Sequence, residues 1–317
     1  MNAEEHSYKV AIIGAGMVGA ASAYALTIRH TAHDIVLIDK NEQRAQGEAM
    51  DLNHCLALAQ PMDISSGGYE TCRDADVVVI TAGAAQKPGE TRLDLTRKNV
   101  GVVKSIVADV MAHNSNPLFL VVSNPVDVLS YVVFRESGLP AHRVIGSGTL
   151  LDSSRFRFLL SDHCGLDPRS IHAYVAGEHG DSEVLLWSQV HVAGVRLNEY
   201  CPVCTRECTP DFRNSIQDQV RRAAYEIIAL KGATYWAIGL VVQRIVAALE
   251  SDQKSVLTVS TLADGQYGIR DVYLSLPSVI GRDGVGQVIA GPLGDDETSA
   301  LQKSAEVLNE NLRSLGY

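Results

Sequence analysis

The segment Gly14-Ala15-Gly16-Met17-Val18-Gly19 stands directly after a β-branched run, Lys9 to Ile13, and before a helix-compatible stretch near Ala20 to Ile28. Three glycines at this spacing have a mechanical reading. Gly14 permits a tight turn, Gly16 lets backbone approach a pyrophosphate, and Gly19 lets the following helix pack closely. Met17 and Val18 lie between them, and free N–H groups at the helix start attract an anion. The bare spacing is also satisfied by a glycine-rich turn with no ligand. Asp39, at the end of the next apolar run, narrows the choice. A carboxylate there accepts hydrogen bonds from ribose hydroxyls and repels a 2′-phosphate, so the expected cofactor is NAD rather than NADP.

Short apolar runs recur at Ile35 to Ile38, Val77 to Ile80, Leu118 to Val122 and Val144 to Ile145. Helix-compatible stretches separate them near Glu42 to Leu58, Leu95 to His113 and Val126 to Glu136. This βαβ alternation predicts an α/β fold with a doubly wound parallel sheet of Rossmann type. After about Leu150 the rhythm changes to longer helices and alternating strands from Ser255 to Ala290, which predicts a second, α+β substrate domain. The expected division is 1–150 for dinucleotide binding and 151–317 for substrate. Asp211 to Leu249 reads as one long helix kinked at Gly232, and Asp295 to Thr298 as the caps and negative charge opening a last helix.

Charge excludes some partners. Lys and Arg total 27 against 37 Asp and Glu, a formal net charge of -10, which argues against nucleic acid or an anionic membrane surface. The N-terminal Met1 to His6 is acidic and polar, the opposite of an export signal, and Gly232 to Val242 is too short to span a bilayer, so a cytoplasmic protein is expected. Six cysteines are spread thinly. Cys201, Cys204 and Cys208 cluster, but three ligands are incomplete for structural zinc, and reduced thiols with no metal are the expectation.

The chemistry-bearing candidates lie further along. Gly177-Glu178-His179-Gly180-Asp181 sets an imidazole in a glycine-bearing segment, where it has little steric cover; alone, such a histidine is more often structural than catalytic. Asp152 can orient that ring and favour its protonated form, or cap a helix, since Ser153 and Ser154 follow. Arg155 suits a carboxylate through two parallel hydrogen bonds, although with Arg157 it also reads as a solvated helix face.

Taken together, Gly14 to Gly19, Gln86-Lys-Pro-Gly-Glu-Thr-Arg92, Ser123-Asn-Pro-Val126, Leu151-Asp-Ser-Ser-Arg155 and Gly177 to Asp181 occur in the order seen in the lactate/malate dehydrogenase family. The chain resembles that family over essentially its whole length, and within it the L-lactate branch of bacterial type. The resemblance implies that His179 gives a proton to the substrate oxygen as hydride arrives, with Asp152 orienting it. It also implies that Arg155 grips the substrate carboxylate and that Arg92, on a loop, polarises the carbonyl. Asn124 is implied to contact substrate and cofactor, Thr234 to wall the pocket, and Ile238 to touch the nicotinamide. Gln86 sets specificity: relatives acting on malate carry arginine there, and glutamine leaves a second carboxylate unpaired, so pyruvate is expected over oxaloacetate.

Arg157 and His172 match positions that bind fructose 1,6-bisphosphate between subunits, which implies an allosteric homotetramer. The alternative within the same chemistry is a malate or other 2-hydroxy-acid dehydrogenase. Rivals from other classes are an NAD-dependent glycosidase, for which no metal-ligand set is seen, and a nucleotide-binding scaffold without catalysis, although every catalytic position is filled.

Overall fold

The computed structural model describes residues 7–84, 92–201 and 208–317, with the side chain of Arg92 outside the described set. The chain divides into two compact units. The first takes the chain up to Ser147 together with Tyr235–Ser255 and Val279–Gln287; the second takes Gly148–Thr234, Val256–Ser278 and Val288–Tyr317.

In the first unit, β1 (Lys9–Ile13), β2 (Asp34–Ile38), β3 (Asp63–Ser66), β4 (Val77–Ile80), β5 (Leu118–Val121) and β6 (Val144–Gly146) alternate with four helices. These are α1 (Met17–Arg29), α2 (Glu42–Cys55), α3 (Arg92–His113) and α4 (Val126–Ser137). The strands lie parallel in the order β6-β5-β4-β1-β2-β3, the doubly wound arrangement read from the sequence. The strands β4 and β5 are wholly buried, because helices cover both faces of such a sheet and no polar alternation is needed. Each valine or isoleucine so buried contributes roughly 1.5–3 kcal/mol.

The sequence reading gave no strand at β3. Its burial alternates, with Asp63 and Ser65 outward, as at the edge of a sheet rather than its centre. The helix Trp236–Glu250 packs on α1 at close range: a Cβ at Gly239 would stand 2.7 Å from the Ala21 carbonyl oxygen.

In the second unit, α5 (Leu150–Cys164) packs with the helix Pro210–Lys231 around a core that includes Phe156, Leu160, Ile171, Val175, Ile216 and Val220. The long strands Ser255–Asp264 and Arg270–Gly281, which belong to this unit from Val256 to Ser278, are neighbours, and Gly284–Val288 follows them, in the first unit as far as Gln287. The expected single helix from Asp211 to Leu249 is corrected to two. Gly232 adopts φ +86 and closes the first helix as a left-handed cap, its N–H donating to the Ile228 carbonyl, and a new helix starts at Trp236; this is termination, not a kink. The last helix runs Asp295–Ser314 with Gly294 as its N-cap, so Asp295, Asp296 and Glu297 occupy the first turn and act through the helix dipole instead of as caps.

Candidate active site

Every predicted dinucleotide contact in the parallel sheet falls at a carboxyl end. Gly14 follows β1, Asp39 follows β2 and Asn124 follows β5, the edge where open α/β sheets bind ligands. Gly14 holds φ +107, and a Cβ there would press within 2.6 Å of the Ala82 nitrogen. At Gly19 a Cβ would stand 1.9 Å from the Gly14 carbonyl oxygen. Gly16, in contrast, has open space where a Cβ would project.

The first turn of α1 contains no acidic residue, and Gly16 at its N-cap offers no side-chain acceptor. The N–H groups of that turn therefore keep their affinity for an anion. Asp39 is fixed beside the loop, its Oδ2 accepting from the Ala15 N–H at 2.7 Å and its Oδ1 from the Asn41 N–H at 2.9 Å. An anion-seeking helix start, an unobstructed glycine and an anchored carboxylate fit a dinucleotide without a 2′-phosphate. The Asn124 carbonyl accepts from Asn99 Nδ2 at 2.9 Å, leaving its own exposed side chain clear of that bond. Ile238 is half-buried on the helix that covers α1.

The second unit assembles the acid–base cluster. Asp152 lies in the first turn of α5 and is 2 % exposed. It is no cap, since Thr149 holds that position. One carboxylate oxygen, Oδ2, lies 2.6 Å from His179 Nδ1, and the other accepts from Arg155 Nη1 at 2.6 Å. Burial disfavours the ionised carboxyl, but His179 and then Arg155 outweigh it and hold Asp152 below the usual carboxylate range.

The scaffold beneath is made of small hydroxyls. Ser153 Oγ accepts from the Val175 N–H and bonds Thr258 Oγ1, while Thr149 Oγ1 donates to the Val175 carbonyl at 2.5 Å. These bonds lock α5 to the strand leading into the histidine loop. In that loop Gly177 has φ +89 and approaches Ser304, whose hydroxyl accepts from the Glu178 N–H at 2.8 Å. A side chain at 177 would displace the loop that aims His179.

The Nδ1 side of His179 faces Asp152, and its side chain is 26 % exposed. An imidazole, a planar guanidinium and a buried carboxylate common to both can pass a proton to a substrate oxygen while anchoring a carboxylate.

The other predicted residues make none of the hydrogen bonds of this cluster or lie outside the described set. Gln86 and Cys204 lie outside the described residues, as does the side chain of Arg92, whose backbone opens α3. Thr234 follows the Gly232 cap and is half-buried. Arg157 is half-buried, donates from Nε to the Ala173 carbonyl at 3.1 Å and lies over the Tyr174 ring, while His172 is exposed in a short strand opposite His191. Cys201 and Cys208 are free thiols. Among the described residues, no group of three or more His, Cys, Asp or Glu is placed to hold a metal ion, and no helix is long and apolar enough to cross a membrane. Sequence reasoning missed Glu183, four residues after His179, which is 2 % exposed and faces the same cluster. The available signal was a charged residue immediately preceding the apolar run Val184 to Leu186.

Sequence profiles describing the NAD binding domain and the alpha/beta C-terminal domain of lactate/malate dehydrogenase match residues 8–146 and 149–315. The chain belongs to the lactate/malate dehydrogenase family. Among curated members, it is 50 % identical to an L-lactate dehydrogenase of Thermoanaerobacterium saccharolyticum, over 97 % of this chain and 99 % of that one. It is 50 % identical also to L-lactate dehydrogenase 1 of Clostridium acetobutylicum, over 97 % and 98 %. A solved lactate dehydrogenase from a Medee basin deep-sea metagenome library superimposes with a TM-score of 0.96 at 43 % identity, covering 98 % of this chain and all of that one. The minor L-lactate dehydrogenase of Enterococcus mundtii, in a ligand-bound form, gives 0.92 at 42 %, covering 98 % and 99 %. As a member of this family the chain is an oxidoreductase, and its cofactor is NAD.

Proposed function

We propose that this chain is an L-lactate dehydrogenase, reversibly converting pyruvate and NADH to (S)-lactate and NAD. The observation that carries the reading is the single buried carboxylate of Asp152 shared by His179 and Arg155. Bound NADH supplies the hydride for the carbonyl carbon. The chain's own residues then do the rest. His179 delivers a proton from Nε2 to the carbonyl oxygen, Asp152 fixes the ring and stabilises its imidazolium, and Arg155 binds the substrate carboxylate. Arg155 already donates to Asp152 through one nitrogen, so its remaining donors are those available to substrate.

Arg92 serves to polarise the carbonyl, Asn124 and Thr234 to line the substrate, and Gln86 to favour a methyl group over a second carboxylate. Residues 1–150 hold NAD through Gly14 to Gly19 and Asp39, residues 151–317 hold substrate, and Ile238 on the later helix contacts the nicotinamide. We place the enzyme in the cytoplasm, reoxidising NADH from glycolysis during fermentation, as a homotetramer activated by fructose 1,6-bisphosphate at Arg157 and His172. NADH consumption with pyruvate and with oxaloacetate, each with and without the bisphosphate, tests the whole reading. Preference for oxaloacetate overturns the lactate assignment. A pyruvate KM and an oligomeric state indifferent to the bisphosphate overturn the effector site.

A further inference from the structure

The backbone of Glu183 is held on both sides, yet one oxygen of its carboxyl group is buried without a hydrogen-bond partner. Its N–H donates to the Gly180 carbonyl at 3.2 Å, its own carbonyl accepts from Arg221 Nη2 at 3.0 Å, and Oε1 is buried without a hydrogen-bond partner. The charged groups facing it are Asp152 and Arg155 from α5, His179 from the preceding loop, and Arg221 from the helix Pro210–Lys231. Arg221 itself keeps a buried Nε–H unpartnered, so a donor close at hand is not spent on this carboxyl. An ionised group so placed would lack the hydrogen bonds a buried charge requires, whereas a neutral acid carries far less of that cost. Burial and then the neighbouring Asp152 push its pKa up to about 8, in agreement with that geometry.

The proton and hydride steps make no use of this acid. We propose that Glu183 is a positioning residue for the substrate carboxylate: neutral, it leaves Asp152 as the cluster's single anion and Arg155 free to bind pyruvate; ionised, it repels the substrate and competes for that guanidinium. The role rests on the reading of the chain as a pyruvate reductase. It makes the cluster's protons a shared property, with Glu183 adding an ionisation to pyruvate binding that His179 alone does not supply. One unit above its ionisation at about 8, only about one tenth of the molecules retain the neutral form, so the pyruvate KM rises about tenfold from this group alone.

The test compares kcat and KM for pyruvate between about pH 6 and pH 9 in the full chain and in Glu183→Gln, whose amide keeps the shape but cannot ionise. The expected result is that the variant loses the roughly tenfold alkaline rise in KM, while the kcat profile keeps its own dependence in both proteins. Infrared spectroscopy supplies a readout independent of turnover. The carbonyl stretch of a protonated carboxylic acid is expected at neutral pH, disappearing on alkaline titration and missing from Glu183→Gln. Pyruvate reduction with superimposable KM profiles, or no such band at neutral pH, overturns the role of Glu183 alone. Absence of pyruvate reduction in both proteins overturns the dehydrogenase reading and the role with it. Should the variant not fold, the unmodified chain decides: an alkaline KM profile with one ionisation, in place of two, overturns the proposal.

Discussion

Replacing Asp152 with asparagine removes one negative charge and almost no volume, which makes it the most informative single change to the cluster. The carboxylate lies 2.6 Å from His179 Nδ1. Two unit charges about 4 Å apart at an effective dielectric near 20 attract by about 4 kcal/mol. The histidine side chain is 26 % exposed, and solvent screening reduces this to roughly 2–3 kcal/mol, equivalent to about 10²-fold. The amide can still hold the ring, so the loss falls on the stability of the imidazolium rather than on its aim. Steady-state kcat/KM for pyruvate reduction at neutral pH should therefore drop about 10²-fold in Asp152→Asn, with the deficit shrinking as the pH is lowered and solvent protonates the ring. The overall equilibrium is unchanged, so lactate oxidation has to fall in parallel where cofactor affinities are preserved. A variant that retains activity within about threefold of the parent at neutral pH would refute the assignment of Asp152 as the group that charges His179.

Arg155→Lys keeps the charge but loses the planar fork, and should raise the pyruvate KM roughly 10–100-fold with a smaller effect on kcat. Gln86→Arg should move the ratio of kcat/KM towards oxaloacetate by supplying a partner for its second carboxylate; an unmoved ratio removes Gln86 from the pocket. Gly19→Ala places a Cβ 1.9 Å from the Gly14 carbonyl oxygen, so overpacking of roughly 1–3 kcal/mol should lower the Tm and weaken NADH binding followed by fluorescence. The raised pKa of Glu183 means that its contribution to folding is fully present below its ordinary 4.5 and is lost as the pH rises through about 8. Thermal midpoints should accordingly decline over that interval, and Glu183→Gln should flatten the decline.

The first unit was easily read because its strands are buried on both faces, so β4 appears in sequence as Val77-Val78-Val79-Ile80 with nothing polar between. At the sheet edge that signal fails, and Asp63-Ile64-Ser65-Ser66 was missed because only Ile64 is buried. The break at Gly232 was visible as a glycine, but its consequence depended on a backbone angle that a helical pattern does not encode. In the candidate site, the glycines, Asp39, His179 and Asp152 stood out in the sequence only in company, since a glycine turn, a lone histidine or an acid before two serines each has a structural use as well. The hydroxyl scaffold of Thr149, Ser153 and Ser304 did not, since serine and threonine occur everywhere and only tertiary contact gives these a role. Glu183 was hidden for a related reason: an acid in a polar loop suggests solvent, and only its burial reveals a proton-holding group.

The left-handed turn at Gly232 has a further consequence for synthesis. Just beyond it the chain re-enters the first unit, and the helix Trp236–Glu250 supplies the surface on which α1 packs. A nascent chain that has completed the six parallel strands by Gly146 still carries α1 with that face uncovered, and about a hundred further residues must leave the ribosome before Gly239 can meet Ala21. Folding of the nucleotide-binding unit is therefore delayed until most of the chain exists, and a fragment cut near residue 150 inherits an exposed helix face in place of a finished domain.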